Sequence, residues 1–521
     1  MRKERWFNYR PLCLIFSMLI LGSIFAFYCF YGKPKFGNKA IIISVIVLVV
    51  LIGTFIFFSI RNKSVKLFLI PFISLVMGAS LFCVGVASFK ANAKPQPNII
   101  SARIYSVDDN LTSFRIYADD VYFDGVKTNC KICVYVQDST KLFDGLKIGN
   151  QINFKPTSFS ENDLFKYETP NSTNFSKNIK YNVGTNINLI TFGEYKLTFA
   201  ERVRAKVKQT LQKGLTNENA ELAYSALFGD KTLLSSVQKS AFKASGVAHL
   251  LAVSGLHVGI IVGILNGIFS LINLIFKRKI IDGWVKVGII GAILLFYIYI
   301  CDFSSSIVRA SIMSIVLLCA PLFKRQYDTL SSISFAGIIC FLINPMLAFD
   351  VSGLMSFSCV LGICLLNPTI SKFLSKTKMP KVLTESFSIS MSTTVMLMFT
   401  VAYYFNNINL ISLLANVILI PLFTIGFVCA FVIGFIGTIF NFANIGYLLV
   451  PVNYCFDFIR LLVEVLGNLP FANFATTSIS YITIPIYFIL ILIMSRITTA
   501  KPEHKMAVIL PVVAILFAVM L

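Results

Sequence analysis

Charge is scarce in this sequence: Asp, Glu, Lys and Arg make up 13% of its 521 residues, and the acidic side chains are the scarcer, 24 against 46 basic ones. So low a charged fraction beside 56% hydrophobic residues excludes both an ordinary soluble globular protein and a disordered one. Histidine is rarer still, with only His249, His257 and His504 in the whole chain. No H-x-H-x-D-H cluster and no second C-x-x-C pair exist, so the ligand sets of a two-metal hydrolase or a zinc site are lacking. A GxxxxGK[ST] phosphate loop is missing too, which excludes a motor of that type in this chain. We expect no catalytic residue, no metal and no cofactor.

What abounds is apolar sequence in long runs. Stretches of about 20 residues, enough to cross a hydrocarbon core of roughly 30 Å, begin near Pro11 and recur up to Leu521. Three spans are expected at 11–31, 40–60 and 67–88, and ten more from about Val247 onward, which makes about thirteen. The basic stretch Met1–Arg10 leads into the first of them without a convincing A-x-A site, so it reads as an uncleaved anchor. The expected fold is a polytopic α-helical membrane protein with one small β domain inserted. Its segments are 1–89 (N-terminal spans), 90–195 (β domain), 196–225 (basic linker helix) and 226–521 (membrane domain).

Orientation follows from where Lys and Arg fall. With the N-terminus in the cytoplasm, three spans place the β domain outside. The clusters at 277–279, 324–325, 372–381 and 496–505 then all lie on the cytoplasmic side. Between them, the turns DFSSS from Asp302, NPMLAFD from Asn344 and FNNIN from Phe405 contain no Lys or Arg. Only Lys33, Lys35 and Lys39 run against the rule. Most of the net charge of +22 is explained by this asymmetry without a nucleic-acid partner.

Within 90–195, short alternating runs such as IISARIYSV from Ile99, SFRIYADDVYF from Ser113 and CKICVYV from Cys130 are separated by DG and GN turns. Five or so short strands are expected to close into a barrel, which would leave no exposed edge. Cys130 and Cys133 form a disulfide only if a bulge or turn brings them together, because residues i and i+3 of one strand point to opposite faces. From Lys196 the pattern becomes helical, with Leu197, Val203, Val207 and Leu211 on one face and Arg202, Arg204, Lys206 and Lys208 around the rest. Such a helix lies on anionic headgroups or contacts DNA directly.

The most informative stretch runs from Gly229-Asp230 through GVAHLLAVSGLHVG, 246–259. Ser245-Gly246 and Ser254-Gly255 bracket seven residues, and such pairs break helices and leave backbone groups unpaired. Inside a bilayer, broken backbone survives only where protein or a watery cavity satisfies it. Read this way, His249, Ser254, Gly255 and His257 line a vestibule. Eight residues apart, the two histidines lack metal-ligand spacing. Arg309 lies within a span, with Asp302 and Asp350 as its expected partners or, alternatively, a phosphate. Asp457, Arg460 and Glu464, at i, i+3 and i+7, are expected to form an ion-pair ladder.

These motifs resemble those of the ComEC family of competence proteins. The stretch at 246–259 is similar to the opening of its competence domain. SSSIVRASIMS at 304–314 and INPMLAFDVSGLMSFSCVLGI at 343–363 resemble its Arg-Ala span and its Asn-Pro segment. LLANVILIPL at 413–422 resembles its late Asn- and Pro-bearing span. The resemblance implies a cytoplasmic-membrane channel importing single-stranded DNA during natural transformation, with an OB-like β domain outside. It further implies an external DNA receptor and a cytoplasmic helicase-like ATPase; membrane lipid and other copies of the chain are expected partners besides. The family's usual C-terminal metallo-β-lactamase-like domain has no counterpart before Leu521, so a separate nuclease is expected. OB folds bind strands by stacking bases on aromatics above a basic groove. Tyr105, Phe114, Tyr117, Tyr122, Phe123 and Tyr135 supply rings, yet residues 98–195 hold ten basic against eleven acidic side chains. Other readings are a transporter of another envelope solute, a non-transporting remnant, or an intramembrane enzyme built on His249, Ser254 and His257.

Overall fold

The computed structural model describes residues 11–30, 66–90, 96–110, 113–137, 148–162, 172–186, 189–195, 197–277, 281–323, 328–377, 379–440, 444–469 and 473–475. The expected span at 40–60, the basic clusters at 324–325 and 496–505, His504 and the expected spans beyond residue 475 lie outside them. The chain divides into two compact units, one of Arg10–Arg202 with Ser334–Asp350, the other chiefly of Val203–Ile333 with the residues from Val351 onward.

In the first unit, helices α1 (Pro11–Phe30) and α2 (Lys66–Lys90) pack backbone to backbone. Gly22 and Gly78 make this possible, since a Cβ on either would collide with the carbonyls of Leu75 and Leu19 respectively. Phe27 and Phe82 hold the ring of Phe349 at 4.9 and 5.6 Å, which fastens the 3₁₀ turn Pro345–Phe349 to the helix pair.

The β domain follows as β1 (Ile100–Asn110), β2 (Ser113–Phe123), β3 (Val126–Lys127), β4 (Lys131–Gln137), β5 (Asn150–Phe154), β6 (Ser158–Glu161), the short helix α3 (Ser172–Ser176), β7 (Ile179–Asn186) and β8 (Ile190–Tyr195). The alternation predicted from sequence sets the faces: Ile100, Ala102, Ile104, Ile116, Ala118, Ile132, Val134, Val136, Ile152 and Phe154 share one buried core. Strand order is β6-β7-β4-β2-β1-β5-β8 with β3 on β2, and β4 and β7 run parallel. The sheet is therefore open, and the expected closed barrel is corrected. Its end strands β6 and β8 are only four and six residues long and carry Glu161 and Glu194, so shortness and charge protect the edges instead of closure. Cys130 is buried in the core, Cys133 lies within β4, and neither is in a disulfide.

The second unit is helical. It contains α4 (Phe199–Gln212), counted from Val203, then α5 (Asn217–Phe228), α6 (Ser236–Ala244), a 3₁₀ turn Ala248–Leu251, α7 (Gly255–Ile275), α8 (Gly283–Ile300) and α9 (Ser305–Cys319). After α10 (Thr329–Ile343) come α11 (Val351–Leu365), α12 (Asn367–Leu374), α13 (Lys381–Phe405), β9 (Asn407–Asn409), α14 (Ser412–Phe440), α15 (Ile445–Gly467) and β10 (Asn473–Ala475), which pairs with β9. Against about thirteen expected spans, the described residues show five helices long and apolar enough to cross a membrane: Ile70–Phe89, Gly255–Ile275, Gly283–Ile300, Ser305–Phe323 and Ser412–Phe440. A sixth is formed if α11 and α12, bent by 48° at Asn367-Pro368, count as one.

The basic helix α4 packs by the face its sequence predicts. Val207 and Leu211 are fully buried and would touch a Cβ placed on Gly434 of α14, while Thr210 Oγ1 lies 3.0 Å from Thr438 Oγ1. Leu197 falls before the helix begins.

Candidate functional site

The two predicted breaks exist, and side chains satisfy their loose backbone groups. Helix α5 ends at Gly229, whose N–H donates to Ser225 O at 2.8 Å, and the Leu227 carbonyl accepts from Tyr297 Oη at 2.6 Å. In the turn that follows, Asp230 Oδ1 accepts from the backbone and the hydroxyl of Thr232 at 3.0 and 2.6 Å. Burial, reinforced by nearby Lys239, lowers the Lys231 ammonium below the usual lysine range.

Beyond α6 the chain turns at Gly246, with φ of +75° and a side-chain volume already taken by Ser412 and Asn409. Asn409 Nδ2 donates to the Ala244 carbonyl at 2.6 Å while its Oδ1 accepts from Ser412 N at 2.8 Å, so one amide ties both helix ends. After the 3₁₀ turn, the Leu251 carbonyl accepts from Ser225 Oγ at 3.0 Å. Ala252 and Ser254 are extended, and α7 starts at Gly255. There His257 Nδ1 accepts from the Ser254 amide at 3.1 Å, which places the neutral ring's proton on Nε2. His257 is fully buried, its ring stacked 4.3 Å from Phe427, and Nε2 has no hydrogen-bond partner among the described residues.

The predicted site residues are only partly assembled. Ser254 and Gly255 stand beside α9, where a Cβ on Gly255 would lie 3.9 Å from Ala310, next to Arg309. His249 is exposed on its turn. Arg309 is buried at 2% exposure, and its Nη2 donates to Ser352 Oγ at 2.9 Å. Asp302 is not its ion-pair partner: φ of +53° turns this residue into solvent between α8 and α9. Asp350 belongs to the other unit, where its N–H closes the turn on Met346 O and Leu347 O. Among the described residues no three metal-binding side chains cluster. The Ser254 contact to the His257 ring comes from its backbone N–H, not its hydroxyl, so it is a helix cap and not a nucleophile with its base.

The predicted ladder on α15 is corrected in part. Arg460 pairs with Asp457 at 3.9 Å, as expected, and with Glu218 of α5, whereas among the described residues no pair with Glu464 is found. Fully buried Asn219 sits at the centre, donating Nδ2 to Asp457 Oδ1 at 2.7 Å and to Asn453 Oδ1 at 2.9 Å. Local spacing had shown only the neighbours on one helix.

On the β domain, residues alternating with the core make a second, half-exposed face. Lys131 Nζ lies 4.3 Å from the Tyr105 ring, Arg115 5.5 Å from Tyr135 and Lys177 5.5 Å from Tyr117. Tyr105 and Tyr117 are 6.2 Å apart. At one end of it Arg103 forks to Asp119 at 2.8 Å and Glu201 at 2.9 Å, which anchors the first turn of α4. Arg202 and Lys206 of α4 are exposed, whereas Arg204 and Lys208 are half-buried.

Comparison with known proteins bears on the helical unit. A family model described as Competence protein matches residues 226–500, more than half of the chain. ComE operon protein 3 of Bacillus subtilis is 27% identical over 198 residues, 38% of this chain and 24% of that protein. Recombination protein 2 of Haemophilus influenzae is 27% identical over 261 residues, 48% of this chain and 32% of that protein. The matches thus span about a quarter and a third of those relatives' own lengths. No solved structure matches. Apolar spans, the broken segment at 246–257 and the family match over it agree: this chain is a membrane protein of the ComEC-type competence family.

Proposed function

We propose that this protein conducts single-stranded DNA across the cytoplasmic membrane during natural transformation, and that it does so without chemistry of its own. The observation that carries this reading is that the competence match covers the irregular segment leading into the span Gly255–Ile275, whose loose backbone groups are held by Ser225, Asn409 and His257. Broken backbone at membrane depth is tolerated beside a lumen or within protein. Uncharged polar groups let a polyanion pass where cations would hold it too tightly. His249, Ser254, Gly255, His257, Asp302 and Arg309 belong to the proposed path. The N-terminus lies inside and the β domain outside, where its tyrosine and lysine face receives the strand. An external receptor, a helicase-like ATPase and a separate nuclease complete the system.

The test is internalisation of labelled DNA into a DNase-protected state, in the intact strain, a deletion, and His257→Ala and Arg309→Ala at matched expression. Loss of protection in the deletion and both variants, with surface binding retained, is the expected result. Normal protection in the deletion overturns the reading and favours another envelope solute.

A further inference from the structure

The β domain contains a cavity of about 200 Å³ whose wall includes Phe123, Thr128, Asn129, Lys180 and Tyr181, with Lys127 at its rim. Lys180 is the unusual member. It is the extra residue where the β4–β7 register shifts between Lys131 and Ile132, so a bulge re-aims its side chain. At 9% exposure it is a buried cation, and among the described residues no carboxylate pairs with it. Its contacts are one long hydrogen bond to the Ser88 carbonyl at 3.5 Å and the ring of Phe89 at 5.7 Å. Burying an ammonium with so little compensation is costly unless an anion joins it. Lys127 is already neutralised by Asp120 at 2.7 Å, which leaves Lys180 as the cation that an anion would meet.

The depth of the cavity identifies the anion. Ser88 and Phe89 are the last turn of the apolar span Ile70–Phe89, so the side chain that touches them lies where hydrocarbon gives way to headgroups. Lysines at that level reach lipid phosphates. We infer that this cavity holds the headgroup phosphate of an anionic phospholipid. The Lys180 ammonium faces the phosphate, the Asn129 amide supplies a hydrogen bond, and the Phe123 and Tyr181 rings, 5.5 Å apart, form the apolar wall. A lipid seated there moors the β domain to the membrane next to α2.

The full-length protein in mixed micelles of phosphatidylglycerol and phosphatidylcholine tests this, with retained lipid measured by mass spectrometry after detergent exchange. The wild type is expected to retain phosphatidylglycerol in about fivefold excess. Lys180→Met brings that towards parity, Lys180→Arg keeps it, and Asn129→Leu lowers it with an unchanged circular dichroism spectrum. Parity in the wild type, or full excess in both Lys180→Met and Asn129→Leu, overturns the proposal. So does displacement of the lipid by millimolar inorganic phosphate or by a single-stranded oligonucleotide at equal phosphate concentration, since either would assign the cavity to a free anion or to the strand.

Discussion

His257 accepts the amide proton of Ser254 through Nδ1 while its ring lies flat against Phe427, 4.3 Å away. One side chain thereby caps the first turn of α7 and fixes the helix against α14. This makes the histidine a builder of the break and not an acid or a base in it. His257→Ala leaves a buried N–H without a partner, a loss of about 1–3 kcal/mol. His257→Gln, which can reach back from the third helical position as a capping box does, is expected to recover part of it. Thermal unfolding of the detergent-solubilised variants checks the order wild type, Gln, Ala.

Gly246 offers a sharper contrast, because Gly259 lies in the same motif. A Cβ on Gly246 would meet Ser412 Cβ at 2.5 Å in a backbone with φ of +75°, whereas one on Gly259 meets nothing within 4 Å. Gly246→Ala is expected to destabilise by about 1–3 kcal/mol through backbone strain alone, with the steric clash added. Gly259→Ala should be neutral or stabilising, as alanine favours a helix by about 1 kcal/mol over glycine. Equal melting temperatures for the two would show that the turn at 246 relaxes freely.

How much of this was legible in the sequence depends on range. The breaks were, because Ser245-Gly246 and Ser254-Gly255 are local signals. Their partners were not: Ser225 and Asn409 lie 26 and 165 residues from the carbonyls they satisfy, and no spacing rule connects them. Arg460 shows the same limit, since sequence offered Asp457 and Glu464 on its own helix, and folding kept the first and added Glu218. Alternation in the β domain fixed which residues face the core but not whether the sheet closes. The charge balance of the domain hid its second face. Arg115 and Tyr117 of β2, with Lys131 and Tyr135 of β4, share that face by period two.

Asn219 tests the buried polar network. It donates to Asp457 and Asn453, while Arg460 Nη1 lies 3.4 Å from its Oδ1. Asn219→Leu takes a fully buried amide away from the half-exposed Asp457 carboxylate and from Asn453, a loss of about 1–3 kcal/mol. Glu218→Gln breaks an ion pair whose carboxylate is 61% exposed, which is worth about 1 kcal/mol at most. Unfolding of the two variants in detergent, at low and high salt, should show the larger and salt-insensitive loss for Asn219→Leu.

The face bearing Tyr105, Tyr117, Tyr135, Lys131, Arg115 and Lys177 yields the prediction closest to function. A cation lies over each ring, so a base that stacks on one of them does so next to a phosphate-seeking charge. Removing a ring and removing a cation should then have different signatures. Tyr117→Ala lowers affinity for a labelled single-stranded oligonucleotide by about 1–3 kcal/mol at every salt concentration, the worth of one stacked base. Lys131→Ala weakens binding chiefly at low salt and reduces the slope of log affinity against log salt by about 0.7, the share of one phosphate contact on a single strand. Anisotropy titrations on the solubilised full-length protein separate the two effects. Equal behaviour of both variants, or wild-type binding in each, would remove this face from the path of the strand and leave the helices to receive it unaided.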